Sequence, residues 1–140
     1  MTLLVDTSVV VKWFHSDGEA EVEQARFLLQ AHRAGAERLL VLDLGAYELG
    51  NVLLRPLRMP APVVVEALTL LRTLCGPLVH PRPSWQHAAA ELAEQHRLTF
   101  YDASWAAAAQ ALQCPLVSAD RLLLVAGLAV TASAAAAQLA

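Results

Sequence analysis

Four acidic side chains stand where they could do chemistry together. Asp6, Asp102 and Asp120 each follow a short apolar or aromatic run, and Glu48 lies in a segment otherwise suited to burial. An acid in such surroundings needs a partner, because burying an unpaired charge is costly. Carboxylate oxygens and water are the ligands that Mg²⁺ and Mn²⁺ prefer, unlike zinc. A cation held this way can lower the pKa of a bound water and offset negative charge on a bound phosphate, so these residues predict a divalent-cation site with hydrolytic chemistry.

Each acid also has a purely structural interpretation. Asp43 and Asp102 are placed to cap the helices that follow them, and Asp6 and Asp120 could cap short helices. Together, however, several negative charges at one end of a sheet destabilise one another unless protons or a divalent cation compensate. The set therefore favours a functional site. In that site Asp6 and Asp102 are the first candidates for direct ligands, while Glu48 and Asp120 bind directly, through water or at a second metal.

Short apolar segments alternate with helical segments along the chain. Because these runs are apolar throughout, they are typical of parallel strands buried on both faces of a sheet. Ligands bind such sheets beyond the carboxyl ends of the strands, where Asp6 and Asp120 stand and where Asp102 is expected. The sequence predicts an α/β fold with a parallel sheet of four to five strands, in a single domain over residues 1–140. The predicted strands are 2–5, 38–42, 78–80, 115–118 and 128–131, and the predicted helices are 7–14, 18–34, 43–55, 60–74, 84–97, 102–113 and a short one after residue 118.

The composition excludes several classes of protein. The chain has 140 residues, of which 56% are hydrophobic, and this excludes a disordered chain. No apolar run approaches the roughly 20 residues of a membrane span, and the N-terminal residues do not resemble a signal peptide. With only two cysteines, we expect a cytoplasmic protein without a disulfide framework. A net charge of −3 argues against a generic basic nucleic-acid-binding domain, but not against an enzyme that holds phosphate through a metal.

Other residues have weaker claims to a function. The five histidines lack the tight spacing of a zinc site. Trp13, Trp85 and Trp105 could stack on bases, although packing in the core or at an interface is the simpler interpretation. The basic residues that could touch RNA phosphates, or could merely be solvated, are Lys12, Arg55, Arg58, Arg82 and Arg121.

Four short motifs then appear in order along the chain, each carrying one of the acids. They are Asp6-Thr7-Ser8, the segment 47–55, Tyr101-Asp102-Ala103 and the segment 116–120. Together they resemble the PIN domain, and specifically the VapC-type toxin ribonucleases of prokaryotic toxin–antitoxin pairs. The resemblance runs from residue 3 to about residue 124 and implies a three-layer α/β/α fold.

The resemblance also implies an activity and a set of site residues. Such proteins are Mg²⁺- or Mn²⁺-dependent endoribonucleases, and their acidic pocket corresponds to Asp6, Glu48, Asp102 and Asp120. Supporting side chains correspond to Thr7 or Ser8, Asn51 and Ser118. The chain departs from the family in having Ser rather than Thr at 118 and an apolar run after Arg121, which affects the surroundings of the last acid. The number of bound metals, one or two, stays open.

Three partners follow from the resemblance: an RNA substrate, a small cognate antitoxin and a second copy of the chain. The high apolar fraction also favours a homodimer. An antitoxin arginine could enter the acidic pocket, because guanidinium forms bidentate bonds to carboxylates. Apolar antitoxin residues would then pack between the helical regions at about residues 18–34 and 43–58.

Two other classes of function compete with a ribonuclease. A haloacid-dehalogenase-like phosphatase needs a second Asp two residues after Asp6, where Ser8 stands, and a receiver domain needs a late lysine, whereas Lys12 is the only lysine. Both enzymes therefore fail on residue type. A catalytically inactive PIN-like module that binds RNA or protein remains as the alternative to a nuclease.

Overall fold

The structure is a computed structural model that describes residues 1–139. Strands and helices alternate through the first part of the chain, and helices dominate the second part. In chain order the elements are β1 (Thr2–Val5), α1 (Thr7–Val10) with a 3-10 turn (Val11–Trp13), α2 (Val22–Arg33), β2 (Arg38–Leu40), α3 (Leu44–Leu54), α4 (Ala61–Cys75), α5 (Pro83–His96), α6 (Phe100–Leu112), β3 (Leu116–Val117), α7 (Arg121–Val125) and α8 (Ala132–Leu139).

The sheet is parallel, with β1 between β2 and β3. Leu3, Leu4 and Val5 are at most 1% exposed. Because successive strand residues point to opposite faces, this burial shows that both faces of β1 are covered. The apolar runs thus form a buried parallel strand, as predicted. The carboxyl ends of β1 and β3 meet at one edge of the sheet, where the backbone N–H of Asp6 donates to the Val117 carbonyl at 3.1 Å.

The prediction of four to five strands is wrong, because residues 1–139 form three. The segments predicted as strands at 78–80 and 128–131 each contribute one parallel bridge, between Val79 and Leu42 and between Val130 and Val117. Pro77 and Pro81 flank the first segment and lack the N–H groups that would extend a ladder. The second segment is confined between the end of α7 and the start of α8.

Two predicted helix caps are also wrong. The Asp43 side chain makes no capping bond to α3, and its Oδ2 instead lies 2.6 Å from Nδ1 of His80. Helix α6 begins earlier than predicted, and its cap is Thr99, whose hydroxyl accepts the backbone N–H of Asp102 at 3.1 Å. Asp102 consequently lies in the first turn of α6 instead of before it. Helix α8 was not predicted; it packs against α2.

Two further features concern the thiols and the lengths of the helices. Cys75 and Cys114 are both free thiols in the described chain. Across residues 1–139, every helix is too short or too polar to span a membrane.

Candidate active site

One pocket of about 210 Å³ brings together all four acids that the sequence singled out. Asp6 follows β1 and Asp120 follows β3, while Glu48 lies within α3 and Asp102 in the first turn of α6. The four carboxylates are thus supplied by four different elements. The rest of the lining consists of Thr7, Ser8, Val11, Val52 and Trp105.

Asp6 is the most deeply buried of the acids, with 4% of its surface exposed. Its Oδ1 accepts hydrogen bonds from the backbone N–H and the hydroxyl of Ser8, so it caps α1 and lines the pocket at the same time. Burial raises the pKa of Asp6 to about 7, and the charge of Glu48 adds to this rise. Hydrogen bonds from Ser118 and Ser8 oppose it without cancelling it. A carboxyl this deeply buried favours a proton or a cation.

Glu48 is held by two donors on a single oxygen. The Thr7 hydroxyl donates to Oε1 at 2.9 Å and the Trp105 indole donates to the same atom at 2.8 Å. Burial raises the pKa of Glu48, and the charge of Asp102 raises it further, against the effect of the two donors. Within residues 1–139 no hydrogen bond engages Oε2, so this oxygen remains available for a proton or a cation.

Asp102 and Asp120 complete the cluster. Burial raises the pKa of Asp102, the charge of Asp120 raises it further, and the bond to Thr99 opposes both. Asp120 caps α7, because its Oδ1 accepts the N–H of Leu123 at 3.0 Å. Charge repulsion therefore links the acids in a series, from Asp6 to Glu48, then Asp102, then Asp120.

The donors of this pocket suit a hard divalent cation. Among residues 1–139, no lysine or arginine lines the pocket to neutralise the acids. In the described chain, no three His, Cys, Asp or Glu side chains lie close enough together to form a preformed metal cage. Mg²⁺ usually takes only one or two protein carboxylates and keeps several waters, which matches an oxygen-lined pocket without such a cage.

Comparison with known proteins agrees with this arrangement. A family model for the PIN domain matches residues 3–127. The chain belongs to the PIN-domain family. It is also similar to the crystal structure of PAE2754 from Pyrobaculum aerophilum, with a TM-score of 0.73 and 24% sequence identity over 99% of this chain and 89% of the other. No curated protein matches the chain.

Membership of the PIN family confirms the predicted fold class. PIN domains are usually metal-dependent nucleases and typically use Mg²⁺ or Mn²⁺. The acidic pocket of this PIN domain, at the carboxyl edge of a parallel sheet, is suited in its donor chemistry to such an ion.

The supporting residues predicted from the sequence are only partly brought together in this PIN domain. Thr7 and Ser8 line the pocket. Ser118 is fully buried behind it, where its hydroxyl lies 3.4 Å from that of Ser8 and accepts the N–H of Asp120 at 2.9 Å. Asn51 is exposed and does not line the pocket. Lys12 is buried against Glu19 at 2.9 Å, so its charge is engaged within the fold.

Trp105 is a site residue for which sequence reasoning offered base stacking and preferred packing, but did not foresee a contact with Glu48. It is 1% exposed and does belong to the core, but its indole N–H also holds Glu48. Its spacing was a usable signal, because residues three apart on a helix share a face and Trp105 follows Asp102 by three. Space for the ring depends on Gly45, where a Cβ would lie 2.8 Å from Cγ1 of Val41 and 3.2 Å from Cη2 of Trp105.

Proposed function

We propose that this PIN domain is a metal-dependent endoribonuclease that hydrolyses RNA phosphodiester bonds. The observation that carries the proposal is the meeting of Asp6, Glu48, Asp102 and Asp120 in one pocket. Mutual repulsion and burial make such a set costly, and a bound cation relieves both. When bound, Mg²⁺ or Mn²⁺ would offset negative charge on the phosphate and acidify a water.

The chain's own residues divide the remaining tasks. Asp6 and Asp102 would bind the metal directly, with Asp120 binding directly or through water. Glu48 is fixed at Oε1 by Thr7 and Trp105, which leaves Oε2 to accept the proton of the attacking water. Burial raises the pKa of Glu48, which makes it a stronger base than an exposed glutamate.

A cleavage assay on single-stranded and structured RNA tests this activity. We expect products with Mg²⁺ or Mn²⁺, none with EDTA, and restoration when excess metal is added back. Asp102→Asn should abolish cleavage. Asp17→Asn is the matched control, because Asp17 is exposed and lies outside the pocket. Equal activity of Asp102→Asn and wild type, or full activity in EDTA, would contradict the proposal.

The alternative to a nuclease is a PIN-like module that binds RNA or protein without cutting. Binding of RNA with no cleavage in any of Mg²⁺, Mn²⁺ or their mixtures would support this candidate over the nuclease.

We further propose that the nuclease is a VapC-type toxin inhibited by a small antitoxin. The four sequence motifs support this, and a pocket of carboxylates whose lining within residues 1–139 includes no lysine or arginine would attract an antitoxin arginine. The test is to co-express the small open reading frame beside the gene and to change each of its arginines to alanine. The inhibition model fails if no neighbouring product binds, or if binding leaves cleavage and metal affinity unchanged.

A homodimer is the last part of the proposal. The apolar fraction of 56% supports it, because a domain of 140 residues still exposes much of its surface. Sedimentation at micromolar concentration should show a dimer, and a monomer alone would refute it.

A further inference from the structure

A second pocket, of about 220 Å³, is rich in exposed aromatic rings. Tyr47 is 77% exposed, Tyr101 61% and Phe100 45%, and the ring of Trp85 also lines the pocket. We call it the aromatic pocket. Rings this exposed contribute little to the core, so the fold alone does not explain them.

The aromatic pocket adjoins the acidic one because two helices line both. Helix α3 contributes Tyr47 to the aromatic pocket and Glu48 to the acidic pocket. Helix α6 contributes Tyr101 to the first and Asp102 to the second. Adjacent residues have Cα atoms only ~3.8 Å apart, so a polynucleotide whose phosphate lies at the acids would have a base beside the rings.

The chemistry of the lining favours a base over an apolar protein anchor. Asp43, His80 and Gln86 also line the pocket, and Oδ2 of Asp43 lies 2.6 Å from Nδ1 of His80. The remaining polar atoms of these side chains can hydrogen-bond the edge of a base, whereas an apolar side chain would offer them no partner. Pockets for drug-sized ligands begin at about 300 Å³, so this smaller one suits a single ring system.

The charge of the chain also favours binding through base stacking. The chain has a net charge of −3, and in residues 1–139 neither pocket is lined by lysine or arginine. Within these two pockets, neutralised phosphates therefore contribute little to the affinity for RNA. Stacking can, because it is available to every base and depends on the ring faces.

We infer that the aromatic pocket is a base-binding subsite in which Tyr47 and Tyr101 stack on one unpaired base beside the phosphate at the acidic pocket. The inference rests on the proposed function for the identity of the polymer, RNA. Base binding itself requires neither metal nor cleavage, so it can be measured separately.

The experiment compares the affinities of a fluorescein-labelled single-stranded RNA and its duplex by anisotropy in EDTA. Wild type should prefer the single strand, because paired bases cannot enter the pocket. Tyr47→Ala and Tyr101→Ala should each weaken single-strand binding by about tenfold and reduce that preference, while duplex binding stays unchanged. Tyr101→Phe keeps the ring and should keep the affinity.

Phe27→Ala is the matched control, because Phe27 is as exposed as Phe100 and lies in a separate cleft between α2 and α8. It should bind like wild type. Unchanged single-strand affinity in both tyrosine-to-alanine variants would overturn the inference. So would their conversion of a dimer to a monomer with RNA binding intact, which would make the rings a contact between copies. Ring-dependent binding in EDTA together with no RNA cleavage in Mg²⁺ or Mn²⁺ would instead overturn the nuclease proposal.

Discussion

The indole Nε1 of Trp105 donates a 2.8 Å hydrogen bond to Oε1 of Glu48, a residue 57 positions earlier in the chain. The bond joins α6 to α3 and fixes one oxygen of a candidate catalytic carboxylate. A core residue therefore also positions the site, and this dual role can be tested.

Trp105→Phe should impair cleavage more than it impairs folding. It keeps most of the ring but removes the donor to Glu48, so we expect the cleavage rate to fall about tenfold or more. Trp13→Phe is the control, because it removes a 2.9 Å indole bond to the Ala25 carbonyl away from the pocket. Both variants should lose about 1–3 kcal/mol of unfolding free energy in denaturant titrations. Equal cleavage by the two variants would refute the positioning role.

Gly45→Ala should destabilise the protein although alanine favours helices. Its Cβ would lie 2.8 Å from Cγ1 of Val41 and 3.2 Å from Cη2 of Trp105. We expect a loss of about 1–3 kcal/mol and slower cleavage, since the indole must shift from Glu48. Gly50→Ala, on the same helix, meets only Cδ1 of Leu68 at 3.8 Å. Gly50→Ala should raise the free energy of unfolding by roughly 0.5–1 kcal/mol. Equal effects of the two substitutions would contradict the packing explanation.

Without metal, stability should fall as the pH rises through the titration of Asp6. Burial raises the pKa of Asp6 from 3.8 to about 7, so between these values the folded state binds more protons than the unfolded state. The contribution of Asp6 to the free energy of unfolding is fully present below about pH 4 and is lost by about pH 7. The change is on the order of 4 kcal/mol.

The measurement is the free energy of unfolding in EDTA from pH 4 to pH 8. Asp6→Asn should flatten the dependence and be the more stable variant at pH 8, whereas Asp17→Asn should follow wild type. An unchanged slope in Asp6→Asn would show that Asp6 does not titrate in this range. A large loss of stability in Asp6→Asn would indicate that its cap on α1 matters more than its charge.

Divalent cations should stabilise the wild type and not the site variants. A ligand that binds only the folded state at about 100 times its dissociation constant adds about 2.7 kcal/mol. We expect Mn²⁺ to raise the Tm of wild type and of Asp17→Asn, and to have little effect on Asp102→Asn. A uniform shift in all three proteins would mean that the cation binds outside the pocket.

The sequence by itself determined the fold class, most of the elements and the edge at which the acids would lie. Buried apolar runs and their helical neighbours are local patterns, so they fixed β1, β3 and the position of Asp6 and Asp120 after them. The motifs around Glu48 and Asp102 were recognised from their residues and from their order along the chain. These signals sufficed for the fold class, because a parallel sheet brings the carboxyl ends of its strands together.

Only the tertiary structure decided how the acids are held. Thr7 and Trp105 reach Glu48 across 41 and 57 residues, and no local pattern specifies such contacts. The same applies to the pairing of Lys12 with Glu19, which removed a candidate RNA contact, and to the exposure of Asn51. Periodicity reports which face of an element is apolar, whereas the partner of a buried polar atom depends on how whole elements pack.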